Sequence, residues 1–558
     1  MTMFNESPHL AGIAGRSATC RIVRWFAGGL ALFAFGVLVT ITRGVTIADE
    51  GWFLQVVHRV SSGETLYRDV FFGVTPLSVY VTSAFAAFLG TEVLTLRALM
   101  ALCFAMTVLL SCRISRMFNP ERGFPFFLAA ALVVFAAPET NSPYAAMANI
   151  FFLVSFAAVL AWMESREKRA SDGANRKVPA GLLAAAGFAA GLCFAAKQNI
   201  GLYALAAVLL SVAFVAGRNV PGERELRVGV SVILASYLLA SALLLAPVWF
   251  SGGSGKFLEY GFLNKKTYLR LAGTPYFNGL SDPAAIREVF RSARRFREAI
   301  RFLLPFLTFG ALGAALLRAE RAERGRAATV FLFVGAAFLG VFPRADSHHL
   351  HYAVPEILLG LSYSWPRLNP GPGKRFVRFS QAGLALALAI GVGAALKGPA
   401  GKIVTGNYRI SPLPHYRGIL MDPDQYDRSK ATAGSLVQIA GSGERLFILS
   451  PDAGFYYLVT GLKNPTPYDY PYATAFGFHG ESEVIDAISR GHIRSVCLDG
   501  RKPYPQLTPA RLEAYVVGNM ERGPDLGVCT LYHLRRGPLT QARGAVRQAP
   551  GHPLPRLP

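Results

Sequence analysis

The chain has 558 residues, 52% of them hydrophobic and 16% charged, with a formal net charge of +23 and a mean hydropathy of +0.34. So large an apolar share, gathered into blocks, excludes an ordinary soluble protein of this length, and the basic excess is what cytoplasmic loops of a membrane protein carry. The six cysteines contain no Cys-x-x-Cys pair and no His/Cys cluster of zinc spacing, which excludes zinc-ribbon and dithiol redox motifs.

In chain order, apolar blocks predict eleven membrane-spanning helices, near 24–43, 94–112, 123–137, 144–163, 179–196, 200–217, 228–249, 302–317, 327–342, 350–366 and 379–397. Such blocks approach the length that crosses the hydrocarbon layer, and a helix satisfies its own backbone there. Arg16, Arg21 and Arg24 precede the first block and no small-residue cleavage site follows it, so it reads as a retained helix. Alternate loops hold 22 Lys and Arg on the side of residues 1–24, against 5 in loops 43–93, 138–143, 197–199 and 343–349. This asymmetry predicts a cytoplasmic N-terminus in a bacterial-type inner (cytoplasmic) membrane. Loops 43–93 and 250–301, and everything after residue 397, then lie outside.

Within the first outer loop, Phe53, Val56, Val57 and Val60 share one helical face, which predicts a helix lying on the membrane, and Pro76–Leu89 reads as a re-entrant or interfacial element. The outer loop 250–301 breaks the charge rule with ten Lys and Arg, so either an anionic partner or lipid headgroups are expected against it. Its Ile286, Val289, Phe290, Ala293, Phe296 and Ile300 predict an amphipathic interfacial helix. Residues 1–397 thus form a transmembrane module.

After residue 397 the composition is that of a soluble domain, 398–535, with a disordered tail at 536–558. Strands are expected at Leu446–Leu449, Ile493–Leu498 and Val528–Tyr532, and helices at Arg428–Ala440, Glu481–Arg490 and Pro509–Met520. Their alternation gives a small α/β domain outside the membrane. Cys497 and Cys529 both fall there and are a candidate disulfide if it is exported.

Chemistry is concentrated in the outer loops. Asp49 and Glu50 stand just after the first span, where carboxylates are costly unless used or paired. One of them is placed to accept the proton of a hydroxyl nucleophile; the alternative is that Asp49 caps the helix over 53–60. The order Asp49-Glu50-Gly51, then Gly63 to Tyr67-Arg68-Asp69, then Pro76-Leu77 before a short helix, then Arg97 opening the second span, resembles the first outer loop of family-39 glycosyltransferases of the GT-C class. That family includes protein O-mannosyltransferases and lipid A aminoarabinose transferases. The resemblance spans about 50 residues. It implies a membrane enzyme moving a sugar from a polyprenyl-phosphate donor to an acceptor hydroxyl on a lipid, glycan or protein, with Asp49 in the catalytic acidic position. It also matches Glu139, in Pro138-Glu139-Thr140-Asn141, to a second acidic position; Glu139 as a mere helix terminator is the alternative.

A leaving phosphate needs positive charge. Lys197, at a tight turn between two apolar spans, and Arg344 are the expected phosphate contacts, with His349 assisting. Trp52, Tyr67, Asp69, Tyr80 and Arg97 are expected to line the substrate site, although interfacial aromatic belts account equally for the rings. His348, His349 and His351 beside Asp346 leave a divalent ion open as a cofactor, without the spacing of a standard site. Membrane lipids, and no nucleic acid, are the further expected partners. Two rival functions are a transporter or flippase for a lipid-linked glycan, and a polysaccharide polymerase or ligase. Charges at span ends and the lack of an internal repeat count against the transporter.

Overall fold

The structure is a computed structural model that describes residues 9–119, 123–171, 180–216, 222–277, 287, 289, 291–320, 323–368, 374–441, 445–502 and 505–535. The tail expected at 536–558 lies outside the described residues. Each expected span falls on a helix. These are α1 (His9–Ile41), α4 (Val93–Phe118), α5 (Gly123–Phe135), α6 (Pro143–Ser171), α7 (Ala180–Ala196), α8 (Gln198–Ala216), α9 (Gly222–Phe250), α12 (Ala293–Arg318), α13 (Arg324–Leu339), α15 (Val354–Leu368) and α16 (Lys374–Thr405). Among the described residues, six helices are long and apolar enough to cross a membrane by themselves, and Ala180–Ala196 is a shorter apolar one.

Close packing explains why short α7 belongs in the bundle. It lies against α6 and α9. A Cβ at Gly187 would stand 2.4 Å from the Ile233 carbonyl oxygen, and one at Gly191 would stand 2.6 Å from that of Tyr237. Small residues four apart let two helix backbones touch where lipid supplies no hydrophobic drive.

Two helices precede the second span, α2 (Ile47–Ser61) and α3 (Leu77–Leu89). The short apolar element expected at Pro76–Leu89 is α3. Helix α2 does not simply lie on the membrane, because its polar side is covered too. Phe53, Val56 and Val57 are fully buried, and so nearly are Gln55 and Arg59. Gln55 Nε2 reaches Asp469 Oδ1 at 3.5 Å, and Arg59 donates to Asp469 Oδ2 at 2.8 Å. Periodicity marked the apolar side correctly but could not show what covers the other.

The connection after α9 holds α10 (Ser254–Leu258), a π turn (Glu259–Leu263) and α11 (Lys265–Ala272). Of the amphipathic helix expected over 286–300, Ile286 and Phe290 lie outside the described residues. Ala293, Phe296 and Ile300 belong to α12, which runs unbroken into the next span. A short α14 (Ser347–His351) opens the approach to α15.

Beyond α16, which runs on to Thr405, the chain forms a two-stranded β1 (Arg409–Ile410) and β2 (Leu420–Met421), then α17 (Pro423–Ala440). A four-stranded sheet follows, built from β3 (Leu446–Leu449), β4 (Ser495–Leu498), β5 (Met520–Asp525) and β6 (Thr530–Leu534) in the order β3-β4-β6-β5. Strands β3 and β4 are parallel and buried at every position, as expected for short unbroken apolar runs with helices around them. Helices α18 (Ala453–Thr460), α19 (Gly480–Ser489) and α20 (Ala510–Asn519) complete it. Cys497 and Cys529 are joined as a disulfide, with Cα atoms 5.5 Å apart.

This C-terminal unit is fused to the loop between α1 and α4. Val56, Phe71 and Phe72 share one core with Phe447, Val496 and Val516. Helices α2 and α18 cross backbone to backbone. A Cβ on Gly51 would lie 2.9 Å from Phe455, and one on Gly454 would lie 2.7 Å from Trp52 Cα. The glycine after the acidic pair is therefore a docking requirement.

Candidate active site

The first turn of α2 separates its two carboxylates. Its N-cap is Thr46, so Asp49 is already inside the helix and is not the cap that sequence allowed as an alternative. Glu50 points inward and is fully buried. Both its oxygens accept from Arg97, Nε to Oε1 and Nη2 to Oε2, each at 2.8 Å. The same guanidinium ties down the end of α1 through the carbonyls of Thr40 and Gly44. A carboxylate that is fully buried and clamped in a bidentate pair is not presented to a substrate hydroxyl. Glu50 and Arg97, expected in the reaction and at the substrate, instead hold α1, α2 and α4 together.

Asp49 faces the other way and is half-buried. Its Oδ1 accepts from the Tyr470 hydroxyl at 3.0 Å, a bond between the loop after α1 and the C-terminal unit. Burial, and then the charge of Asp49, hold the proton on Tyr470. The Trp52 ring lies tilted 5.1 Å from that of Tyr470 and 5.6 Å from that of Phe72, which places it beside the Asp49–Tyr470 bond. Tyr80, half-buried, packs on the same core. Tyr67 and Asp69 are not lining residues. Tyr67 is fully buried at a φ of 70°, its hydroxyl bound to the Val74 carbonyl at 2.6 Å. Asp69 is used by Arg68 and by the Thr65 backbone N–H, which closes the loop on itself.

The cations gather opposite. Lys197 is the one residue between α7 and α8, and its ammonium stands 5.7 Å from the centre of the Tyr144 ring. Lys265, at the start of α11, donates to the Gly73 carbonyl at 2.9 Å. Neither forms an ion pair with a carboxylate among the described residues. Burial, joined for Lys197 by the charge of Lys265, lowers both ammonium groups to about 8. Arg344 lies within electrostatic reach of Tyr268 and pairs with Asp346 at 3.4 Å, yet its buried Nε has no hydrogen-bond partner among the described residues. Two buried ammonium groups without a carboxylate partner, and a guanidinium N–H without an acceptor, among the described residues, make this side of the site positive.

Glu139 and the histidines form a neighbouring network. Glu139 accepts from His348 Nδ1, and His348 Nε2 lies 3.1 Å from Ser142 Oγ. Burial opposes ionisation of Glu139, but His351, His348 and Arg43 outweigh it and hold the carboxyl well below the usual range. Helix α5 ends at Phe135, before Pro138, so Glu139 does more than stop a helix. Burial lowers His348 too, but the Glu139 bond wins and its pKa is raised. His351 is buried between Glu139, at 3.5 Å, and Arg301, at 3.2 Å, and burial lowers it to about 3. Asp346 caps α14 through the His349 N–H and bonds His349 Nδ1 at 2.8 Å. Burial still lowers His349 to about 4. A neutral imidazole whose Nδ1–H is spent on Asp346 offers a phosphate only an acceptor, which argues against the assisting role expected for His349.

Among the described residues, no group of three or more His, Cys, Asp or Glu side chains converges so as to hold a metal ion. The three histidines are divided between Glu139, Asp346 and Arg301. The residues present do not fit the divalent ion that sequence left open, and no step is routed through one.

Tyr470, Lys265, Tyr144 and Tyr268 escaped the sequence reading as site residues. Lys265 carried the one usable signal, as a cation in an outer loop that should have few.

No protein-family model matches the chain, and no curated protein matches it. Solved structures do. ArnT from Cupriavidus metallidurans in the apo state aligns over 92% of this chain and 98% of its own, at 16% identity and a TM-score of 0.53. ArnT bound to undecaprenyl phosphate gives 17% identity and 0.51 over the same shares. The archaeal oligosaccharyltransferase AglB from Archaeoglobus fulgidus, in complex with an inhibitory peptide and a dolichol-phosphate, aligns over 91% of this chain and 74% of its own, at 11% identity and 0.50. At such identities the likeness is one of fold. The chain is a multi-pass membrane protein of the GT-C fold, with a small C-terminal α/β unit.

Proposed function

We propose that this protein is a membrane glycosyltransferase that moves a sugar from a polyprenyl-phosphate donor to an acceptor hydroxyl at the outer face of a bacterial-type inner membrane. The observation that carries the reading is the pairing of unlike halves in one place. Among the described residues, Asp49 is a carboxylate bonded by one neutral hydroxyl, Lys197 and Lys265 pair with no carboxylate, and Arg344, although paired with Asp346, keeps a buried Nε without a partner. The fold is shared with proteins solved with undecaprenyl phosphate and dolichol-phosphate, which supports a lipid phosphate as the anion.

The reaction is an inverting displacement. Asp49 takes the acceptor O–H proton as its oxygen bonds the anomeric carbon. The carbon–oxygen bond to phosphate breaks, and the polyprenyl phosphate leaves with that electron pair towards the three cations. General-base assistance contributes about 10²–10⁴-fold in such transfers, and preorganised cations stabilise the charge that appears on the phosphate. The Glu139–His348 pair adds a second acidic element near Asp49, whose charge reaches His348.

The deciding experiment supplies purified protein in lipid nanodiscs with polyprenyl-phosphate sugars labelled in the sugar. Label should leave the lipid in wild type and stay on it in Asp49→Asn. Full turnover by Asp49→Asn would reject the mechanism. Movement of the intact labelled lipid across vesicles without cleavage would instead identify a transporter.

A further inference from the structure

Helix α11 sorts its eight residues by face. Towards the site, Lys265 holds its ammonium 5.5 Å from the centre of the Tyr268 ring and bonds the Gly73 carbonyl at 2.9 Å. Tyr268, Leu271 and Ala272 pack against Tyr472 and Leu507 of the C-terminal unit. The chain just past the helix is tied to a second cation. Thr274 donates its N–H to the Pro343 carbonyl at 3.0 Å and accepts from the Ala345 N–H at 3.2 Å, so the two bonds bracket Arg344. One short helix therefore carries one site cation at its start and, just beyond its end, fixes the backbone around another.

The other face of α11 is open. Lys266 and Arg270, four residues apart, are exposed and form no ion pair among the described residues. Leu263, three residues before Lys266, is 63% exposed, and Leu269, between the two charges, is 53% exposed. Residues three and four apart share a side of a helix, so cations and leucines stand interleaved on one surface. No acidic residue lies between Glu259 and Asp282 to neutralise it.

Its place in the chain says what covers this face. The span within α9 ends at Phe250, and that within α12 begins at Arg295, so the connection between them lies at one surface of the bilayer. It is entered over Trp249 and Phe250, both of them exposed. Bare leucines among cations suit the boundary between acyl chains and headgroups, where leucines enter the hydrocarbon and long basic stems reach headgroup phosphates. A soluble polyanion would pair the charges and leave the leucines in water.

We propose that the open face of α11 docks anionic phospholipid headgroups, and that this contact seats the helix that presents Lys265 to the site. The docking stands on α11 alone. Its consequence, regulation of donor binding by the charge of the bilayer, rests on the reading of Lys265 as a phosphate contact.

The test uses the full chain in nanodiscs of phosphatidylcholine, with and without phosphatidylglycerol, and compares wild type with the double variant Lys266→Gln, Arg270→Gln. Both side chains are exposed, so the variant should fold, which equal melts in the neutral discs check. Hydrogen exchange of the 265–272 amides should slow in wild type when phosphatidylglycerol is added, by about fivefold for each docked charge, and high salt should abolish the slowing. The variant should show no such response. Its affinity for undecaprenyl phosphate should be the lower of the two, with a deficit larger in anionic discs than in neutral ones. Exchange indifferent to phosphatidylglycerol in wild type, or a variant that responds as wild type does, would overturn the docking. An equal deficit in both kinds of disc would overturn the seating of Lys265. Failure to cleave any donor in any disc, with the exchange response intact, would count against the transferase reading and leave the docking standing.

Discussion

Two groups of charges near the C-terminal unit are treated in opposite ways. Glu50 and Arg97 are almost wholly inaccessible and satisfy one another with two bonds, with backbone carbonyls taking what remains. Lys197, Lys265 and Arg344 are less deeply covered, yet among the described residues the two lysines pair with no carboxylate and the Arg344 Nε has no hydrogen-bond partner. A closed pair spends its charge on architecture. An open cluster keeps its charge for something that arrives. Asp49 and Glu50 are neighbours in sequence and fall on either side of this divide, because successive helical residues point about 100° apart.

Substitutions should separate the two groups sharply. Asp49→Asn is expected to lower kcat about 10²–10⁴-fold, the usual worth of a general base, while the thermal unfolding midpoint stays close to wild type. Removing one partner of the closed pair should do the reverse. Arg97→Ala leaves the Glu50 carboxylate buried and unpaired, at a cost of about 3–5 kcal/mol, read as loss of folded protein in detergent melts. Arg97→Ala with wild-type stability would break the comparison at its root. On the open side, Arg344→Ala or Lys197→Ala should each cost about 10²-fold or more in kcat/KM, with little change in unfolding.

The remaining effects are smaller. Tyr470→Phe deletes one neutral donor to a carboxylate and should lower kcat about tenfold, consistent with the 1.5–3 kcal/mol typical of hydrogen bonds to charged groups. An unchanged rate there would mean that the C-terminal unit does not reach the reaction. Donor affinity should also fall as pH rises through about 8, where Lys197 and Lys265 lose their protons. A bound phosphate favours the charged amines, so the loss should approach tenfold per pH unit for each lysine engaged. Folding responds with the opposite sign. Between about 8 and the ordinary lysine value of 10.5 the unfolded chain holds more protons at these positions, so their contribution to stability grows with pH. Titration of undecaprenyl phosphate across that window, beside melts of the apo protein, checks both.

Much of the architecture was legible in residue order. Eleven apolar blocks fall on eleven helices, because lipid leaves a spanning chain little alternative to a helix. Strands β3 and β4 and helices α17, α19 and α20 were readable from apolar runs and their breakers. Helix α18 and strand β5 were not. Ala453–Thr460 is a short apolar run that periodicity cannot assign, and Met520–Asp525 is a polar edge strand containing Gly and Pro. The reading of Cys497 and Cys529 as partners needed only their shared domain, and the pairing of β4 with the residues beside β6 brings them together.

Sequence by itself determined the membrane class, the placement of Asp49 just after the first span, and Lys197 and Arg344 as cations between spans, since hydropathy and charge act locally. Only the tertiary structure decided which acidic residue is closed by Arg97 and which is reached by Tyr470, 421 residues away. Those outcomes depend on which distant group fills the space beside a side chain. Residue order cannot encode that directly, because the fold brings such groups together only after the bundle and the C-terminal unit have packed around α2.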